Sequence, residues 1–254
     1  MSRRLLGTAK LAVAAALGAS LVGGVSAFGT DSGDHATAPE PPNLGKAKLD
    51  VQEYYGDYLD PEGNHHASPD SPWAKRVDRV VADAKNHLEK RLADGVDHPA
   101  IVLDVDDTSM LTYGWEADND FGFDEEKQRK AIENQVFEPI QQTRELANWA
   151  KQRGVEVYFL TGRGESLADP SLRNLAQAGF PRPDGAFFKP EENAPDYLPC
   201  GLECDTVQYK SGTRKHIESQ GNTIVLNIGD QDSDLTGGHA DKAVKLPNPM
   251  YYLP

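Results

Sequence analysis

A chain of 254 residues with 40 acidic and 26 basic side chains carries a net charge of −14. That charge opposes binding to nucleic-acid phosphates and to anionic membranes, so any phosphate the protein handles is small and is met by a local positive site. The length suits one globular domain with a sizeable core.

Residues 1–27 read as a signal peptide. Arg3, Arg4 and Lys10 precede the Ala-rich apolar stretch Leu11 to Val25, and Val25-Ser26-Ala27 supplies a small-residue cleavage pattern. The stretch is short and weakly apolar for a membrane span, so the protein is expected to be secreted without a stable membrane anchor. Ser2-Arg3-Arg4-Leu5-Leu6 leaves twin-arginine and general secretory export both open. Residues 28–46, rich in Gly, Pro, Asp, Thr and Ala, read as a flexible linker, and residues 47–254 as the folded domain.

Val51 to Leu59, with Tyr54, Tyr55 and Tyr58, suggests a packed helical start. Gly63 to Pro72 is a polar loop; its His65 and His66 form either a metal-binding pair or, more simply, part of a solvated loop. Trp73 to Leu92 places Val77, Val80, Val81, Ala84, Leu88 and Leu92 on a helical stripe. Ala100 to Leu103 is a buried strand. Tyr113 to Asp124 reads as irregular, with Tyr113, Trp115, Phe121 and Phe123 forming either a pocket lip or a small packed cap. Pro139 suits the first position of a helix that runs to Gly154.

Val155 to Leu160 is a second buried strand, ending in Thr161-Gly162-Arg163, and Leu167 to Ala178 is a helix stopped by Gly179. Ala186-Phe187-Phe188 is a short strand. Cys200 and Cys204 in an exported protein read first as a disulfide; two thiols with no His close by make a poor zinc site. Ser211 to Ser219 is helical, with His216 in a structural role. Thr223 to Ile228 is a third clear strand and runs into Gly229-Asp230-Gln231-Asp232-Ser233-Asp234.

Short apolar strands alternating with helices predict an α/β fold. The expected form is a Rossmann-like three-layer αβα sandwich around a central parallel sheet, with an N-terminal helical extension and a small cap or flap. Ligands of such sheets bind beyond the carboxyl ends of the strands. The polar clusters at 104–108, 161–163 and 230–234 each begin where a strand ends, so three distant segments converge on one edge.

The run Ile101 to Leu103 breaks into Asp104-Val105-Asp106-Asp107-Thr108. Carboxylates crowded at a strand end repel one another unless a cation sits among them. Asp230 and Asp234 add further acids, and an all-oxygen set without His or Cys suits Mg²⁺ rather than zinc or copper. Lys210 is a candidate second cation, and the Thr161 hydroxyl a candidate phosphate donor. Asp104 as nucleophile and Asp106 as acid/base would split phosphoester hydrolysis through an aspartyl-phosphate. Arg163 either contacts substrate or caps its turn. Asp107 has no role legible in the sequence. The alternating acids 230, 232 and 234 resemble the start of a calcium loop, but Leu235 and Asp241 do not complete it.

The ordered set of motifs closely resembles the secreted acid phosphatases of the haloacid dehalogenase-like superfamily, in the branch shared by plant and bacterial enzymes. The motifs are Asp104 to Thr108, Phe159-Leu160-Thr161-Gly162-Arg163, Tyr209-Lys210-Ser211 with Arg214 and Lys215 following, and Gly229 to Leu235. Tyr54-Tyr55 and Lys245-Leu246-Pro247-Asn248-Pro249-Met250-Tyr251-Tyr252 also resemble this branch, and the resemblance spans roughly 47–254.

It implies a Mg²⁺-dependent phosphomonoesterase acting on small phosphomonoesters, with no nucleic-acid polymer as partner. Asp104 would be nucleophile, and Asp106 acid/base with its backbone carbonyl on the metal. Asp104, Asp106 and Asp230 would hold the ion, Thr161, Gly162 and Lys210 the phosphate, with Asp234 and Arg163 in support. A phosphotransferase to alcohol acceptors is the alternative. A non-catalytic storage protein is disfavoured because Asp104 is present. The chain departs from the branch at Leu111-Thr112-Tyr113, at residues 61–72 and at Cys200 to Cys204.

Overall fold

The structure, a computed structural model, describes residues 40–253. The predicted signal peptide and most of the predicted linker lie outside the described residues. The first helix, α1 (Leu44–Tyr55), begins inside the segment read as linker, because the Asn43 side chain accepts the Lys46 amide at 3.0 Å and caps it. It ends at Tyr55, and Gly56 closes it with a left-handed φ of 61°. A hairpin follows, β1 (Tyr58–Leu59) against β2 (His65–His66).

Helix α2 (Pro72–Ala93) has Ser71 as its cap, Pro72 in the first turn and Lys90 and Arg91 in the last. Its stripe of Val77, Val81, Ala84 and Leu88 is buried. Strand β3 (Pro99–Leu103) leads through the acidic turn to β4 (Met110–Leu111). Two helices then occupy ground where the sequence showed none, α3 (Tyr113–Asp118) and α4 (Glu125–Glu133). Pro139 does not open a helix. It lies in β5 (Glu138–Pro139), paired antiparallel with β4, and Ile140 caps α5 (Gln141–Lys151).

Strand β6 (Glu156–Gly164) continues through Thr161-Gly162-Arg163 rather than stopping before them. Helix α6 (Ala168–Gln177), β7 (Gly185–Lys189), α7 (Thr206–Ser219), β8 (Thr223–Gly229), the short α8 (Asp232–Leu235) and the edge strand β9 (Lys242–Lys245) complete the unit. Helix α7 starts five residues before the expected Ser211. A capping box, Asp205 with Gln208, sets that start. Cys200 and Cys204 form a disulfide in the turn that leads into it.

The main sheet has the order β7-β6-β3-β8-β9, and every pairing is parallel. Alternation along the strands sorts the core into two layers. Ile101, Leu103, Val157 and Phe159 pack with α2, α5 and α6, whereas Ala100, Val102, Tyr158 and Leu160 pack with Tyr209 and Ile217 of α7. The result is the expected three-layer αβα sandwich. From the central β3 the chain builds outward on one side to β6 and β7, then returns to lay β8 and β9 on the other. In sheets of this kind ligands bind beyond the carboxyl ends of the strands at such a reversal, here between β3 and β8.

Candidate active site

The acidic turn begins with Asp104, whose amide donates to Ile228 O at 2.9 Å and ties the ends of β3 and β8 together. The Ser109 and Met110 amides both donate to Val105 O, and Ser109 Oγ donates to Asp104 O at 2.6 Å. Asp107 adopts a left-handed φ of 49°, which lets the chain double back sharply.

Lys210, on α7, reaches under this turn. Its Nζ donates to Asp104 Oδ1 at 2.6 Å and also to Asp234 Oδ1. All three side chains are buried. Burial alone would push the ammonium toward neutrality, but the two carboxylates outweigh it and hold Lys210 charged. Asp234 stands over Gly229; a Cβ at that glycine would lie 2.4 Å from the Asp234 Cβ, so any larger residue would displace the acid.

Asp104, Asp230 and Asp234 present carboxylate oxygens all within 4.8 Å of one another. Burial pushes Asp104 well above the usual carboxylate range, and the neighbouring acids add to this against the pull of Lys210. Burial and Asp234 likewise bring Asp230 up to about 6. One ammonium leaves this cluster short of positive charge. An all-oxygen, carboxylate-rich set with unmet negative charge fits a hard divalent cation such as Mg²⁺.

Asp230 is the most heavily furnished of the three. Among the described residues its Oδ1 accepts only the Thr108 hydroxyl, at 3.2 Å. Its Oδ2 accepts two amides, Gln231 Nε2 at 2.7 Å and Asn248 Nδ2 at 2.8 Å, and Lys245 Nζ donates to its backbone carbonyl.

Asp106 lies outside the three-carboxylate cluster. Arg163 grips it with two bonds, Nε to Oδ2 at 3.0 Å and Nη2 to Oδ1 at 2.6 Å, and spends Nη1 on Ser171 Oγ at 2.7 Å. The guanidinium also lies over the Phe137 ring, 5.6 Å from its centre. Arg163 is thus joined to the neighbouring acid by two parallel bonds. Thr161, buried at the end of the sheet, accepts the Arg163 amide at 3.1 Å, and its own hydroxyl hydrogen remains available. Gly162 is exposed and would have open space around a Cβ.

Asp107, without a role in the sequence, is 2 % exposed and accepts three donors: the Thr112 amide, the Thr112 hydroxyl at 2.6 Å and the Tyr251 phenol at 2.7 Å. Lys215 and Asp232 are exposed, which separates both from the cluster and leaves no calcium loop at 230–234. His65 pairs with Asp57 and His66 with Asp60. Of the aromatics after the turn, Tyr113 and Phe121 pack inward, Trp115 lines a cavity beside His65 and His66, and Phe123 is exposed. His216 stacks on Tyr197.

Four contributors were missed in the sequence: Glu116, Gln231, Asn248 and Tyr251. Gln231 stood inside the fourth motif, and Asn248 and Tyr251 inside the closing segment, so position alone marked them. Glu116 had no such mark. It is buried, and burial followed by the charge of Asp106 raises it to about 7.

The sequence profile of the HAD superfamily, subfamily IIIB (Acid phosphatase), matches residues 32–254. The chain belongs to this family. By class it is a phosphomonoesterase, a hydrolase. It is 31 % identical to Acid phosphatase 1 of Solanum lycopersicum over 181 residues, 70 % of this chain and 68 % of the relative. It is 36 % identical to Vegetative storage protein 2 of Arabidopsis thaliana over 101 residues, 40 % of this chain and 35 % of that one. The class C acid phosphatase from Bacillus anthracis shares the fold with a TM-score of 0.61 at 19 % identity, covering 82 % of this chain and 86 % of that one. Among the described residues no helix is long and apolar enough to cross a membrane.

Proposed function

We propose that the protein is a secreted, Mg²⁺-dependent acid phosphatase that hydrolyses small phosphomonoesters through an aspartyl-phosphate on Asp104. The observation that carries this reading is the separation of two acids only two residues apart. Asp104 is buried on Lys210 beside the metal-ligand cluster, and Asp106 is held by Arg163 outside it. Neighbouring carboxyl groups in different electrostatic settings divide into different roles.

Asp104 supplies the attacking carboxylate oxygen, forming the bond to phosphorus as the ester oxygen departs. Asp106 gives its proton to that departing alcohol, then removes one from the water that cleaves the acyl phosphate. Arg163 keeps the Asp106 carboxyl turned for both transfers. Lys210 and the Thr161 hydroxyl meet the phosphoryl oxygens, and Gly162 leaves room for them. Asp104, Asp230 and the Asp106 carbonyl would hold the Mg²⁺, which when bound neutralises phosphoryl charge. The chain's net charge favours a small substrate over a polymer, and the Cys200–Cys204 disulfide agrees with an exported protein.

An aryl phosphate assay with chelator, followed by added Mg²⁺, tests the reading together with Asp104→Asn. Chelation should abolish turnover and Mg²⁺ restore it, and the variant should lose about 10⁴-fold or more. Activity indifferent to chelation, or a fully active variant, would sink it.

A further inference from the structure

The segment after β9 does more than end the sheet. The Leu246 amide donates to Gly229 O at 2.8 Å, which pins the segment to the fourth motif. Trp73 Nε1 holds Pro247 O at 3.1 Å, and Pro247 and Pro249 restrict the intervening backbone. The side chains between then turn inward onto two acids of the site.

Two of those contacts have a built-in orientation. The Asn248 carbonyl oxygen accepts the Met250 amide at 2.9 Å, so its NH₂ end is the one left for Asp230 Oδ2. The Gln231 carbonyl oxygen accepts the Leu253 amide at 3.1 Å, so its NH₂ end also falls to Asp230 Oδ2. Backbone groups of the same segment thus fix both amides that grip this oxygen. A third contact, Tyr251 to Asp107, anchors the segment to the acidic turn.

We infer that residues 246–253 form a strap that completes the metal centre, with Asn248 as a positioning residue for Asp230. The strap saturates Asp230 Oδ2 and leaves Oδ1, which among the described residues has only the Thr108 hydroxyl, for the cation. Neutral amides suit the task, because they hold the carboxylate's direction without cancelling the charge that a cation needs. Partners that orient a ligand in this way commonly govern metal affinity by 10- to 100-fold. The inference rests on the proposed Mg²⁺ site.

Calorimetric titration of the folded protein with Mg²⁺ tests it. Asn248→Ala should raise the Mg²⁺ dissociation constant by about tenfold or more. Circular dichroism and melting in chelator establish that the variant is folded; should it not be, Asn248→Ser serves the same comparison. Tyr251→Phe removes a strap contact that does not touch Asp230. It should lower the melting temperature in chelator yet change the Mg²⁺ constant by less than about twofold. Wild-type protein that binds Mg²⁺ while Asn248→Ala binds it equally well would overturn the strap alone. An equal loss in both variants would replace Asn248 positioning with general docking and overturn it too. Wild-type protein that binds no Mg²⁺ would overturn the metal reading and the strap with it.

Discussion

Asp104 and Asp107 belong to one turn and are both buried, yet the fold accommodates them in opposite ways. Asp104 shares the Lys210 ammonium with Asp234, and a cluster of acids gathers around it. Asp107 has three donors from Thr112 and Tyr251 and, among the described residues, no cation. Burial, with Asp230 adding to it, pushes Asp107 well above the usual carboxylate range despite those donors. The first arrangement keeps charge available at a reactive edge. The second uses a carboxyl group as a joint between the acidic turn, the start of α3 and the strap.

The largest effect should come from removing the cation. Lys210→Met strands Asp104 and Asp234 together in a buried place, so unfolding in chelator should show a loss of about 3–5 kcal/mol. Turnover should fall by about 10²-fold or more, because the donor proposed for the phosphoryl group goes as well. An unchanged melting temperature would mean the pair carries no such charge dependence.

Glu116 is a further buried acid nearby, its carboxyl with neither cation nor hydrogen-bond partner among the described residues. Its folded value of about 7 lies above its ordinary 4.5. Between those values the folded chain keeps a proton that the unfolded chain has released, so stability falls as pH rises through the window. Glu116→Gln removes that slope. Relative to wild type, measured in chelator, it should gain about 2–3 kcal/mol between pH 4 and pH 8. Parallel pH profiles for the two proteins would show that Glu116 ionises freely.

The smallest effect belongs to Asp107→Asn. The amide oxygen can still accept the Thr112 amide, and the two hydroxyl groups can turn to accept from its NH₂. The cost should be about 1 kcal/mol by denaturant titration. A loss as large as that of Lys210→Met would erase the contrast between the two acids.

The central strands were legible because Ile101 to Leu103, Val157 to Leu160 and Ile224 to Leu226 are apolar on both faces, as a covered parallel sheet requires. Much of what escaped buries little. Helix α4 buries just Ala131 and Ile132, and rests on Asp124 as cap and on surface pairs such as Arg129 with Glu133. Edge strand β9 buries only Val244. Pro139 misled because its ring is as acceptable at a strand edge as in a first helical turn. The acids of the site were visible as motifs. Which partner meets which acid was not, since Arg163 meets Asp106 across 57 residues and Asn248 meets Asp230 by way of a bend that no periodicity signals.

The strap also sets an order of events. Asp107 and the Tyr251 phenol that closes over it are 144 residues apart, and a ribosome adding 5–20 residues per second takes on the order of ten seconds or more to cover that interval. Through that time β3 can exist as a nascent strand, but the carboxylates at its end have no lid and stay in water. The most charged part of the interior is therefore closed only after the strap has been made. Its burial is a late event in the life of each newly made chain.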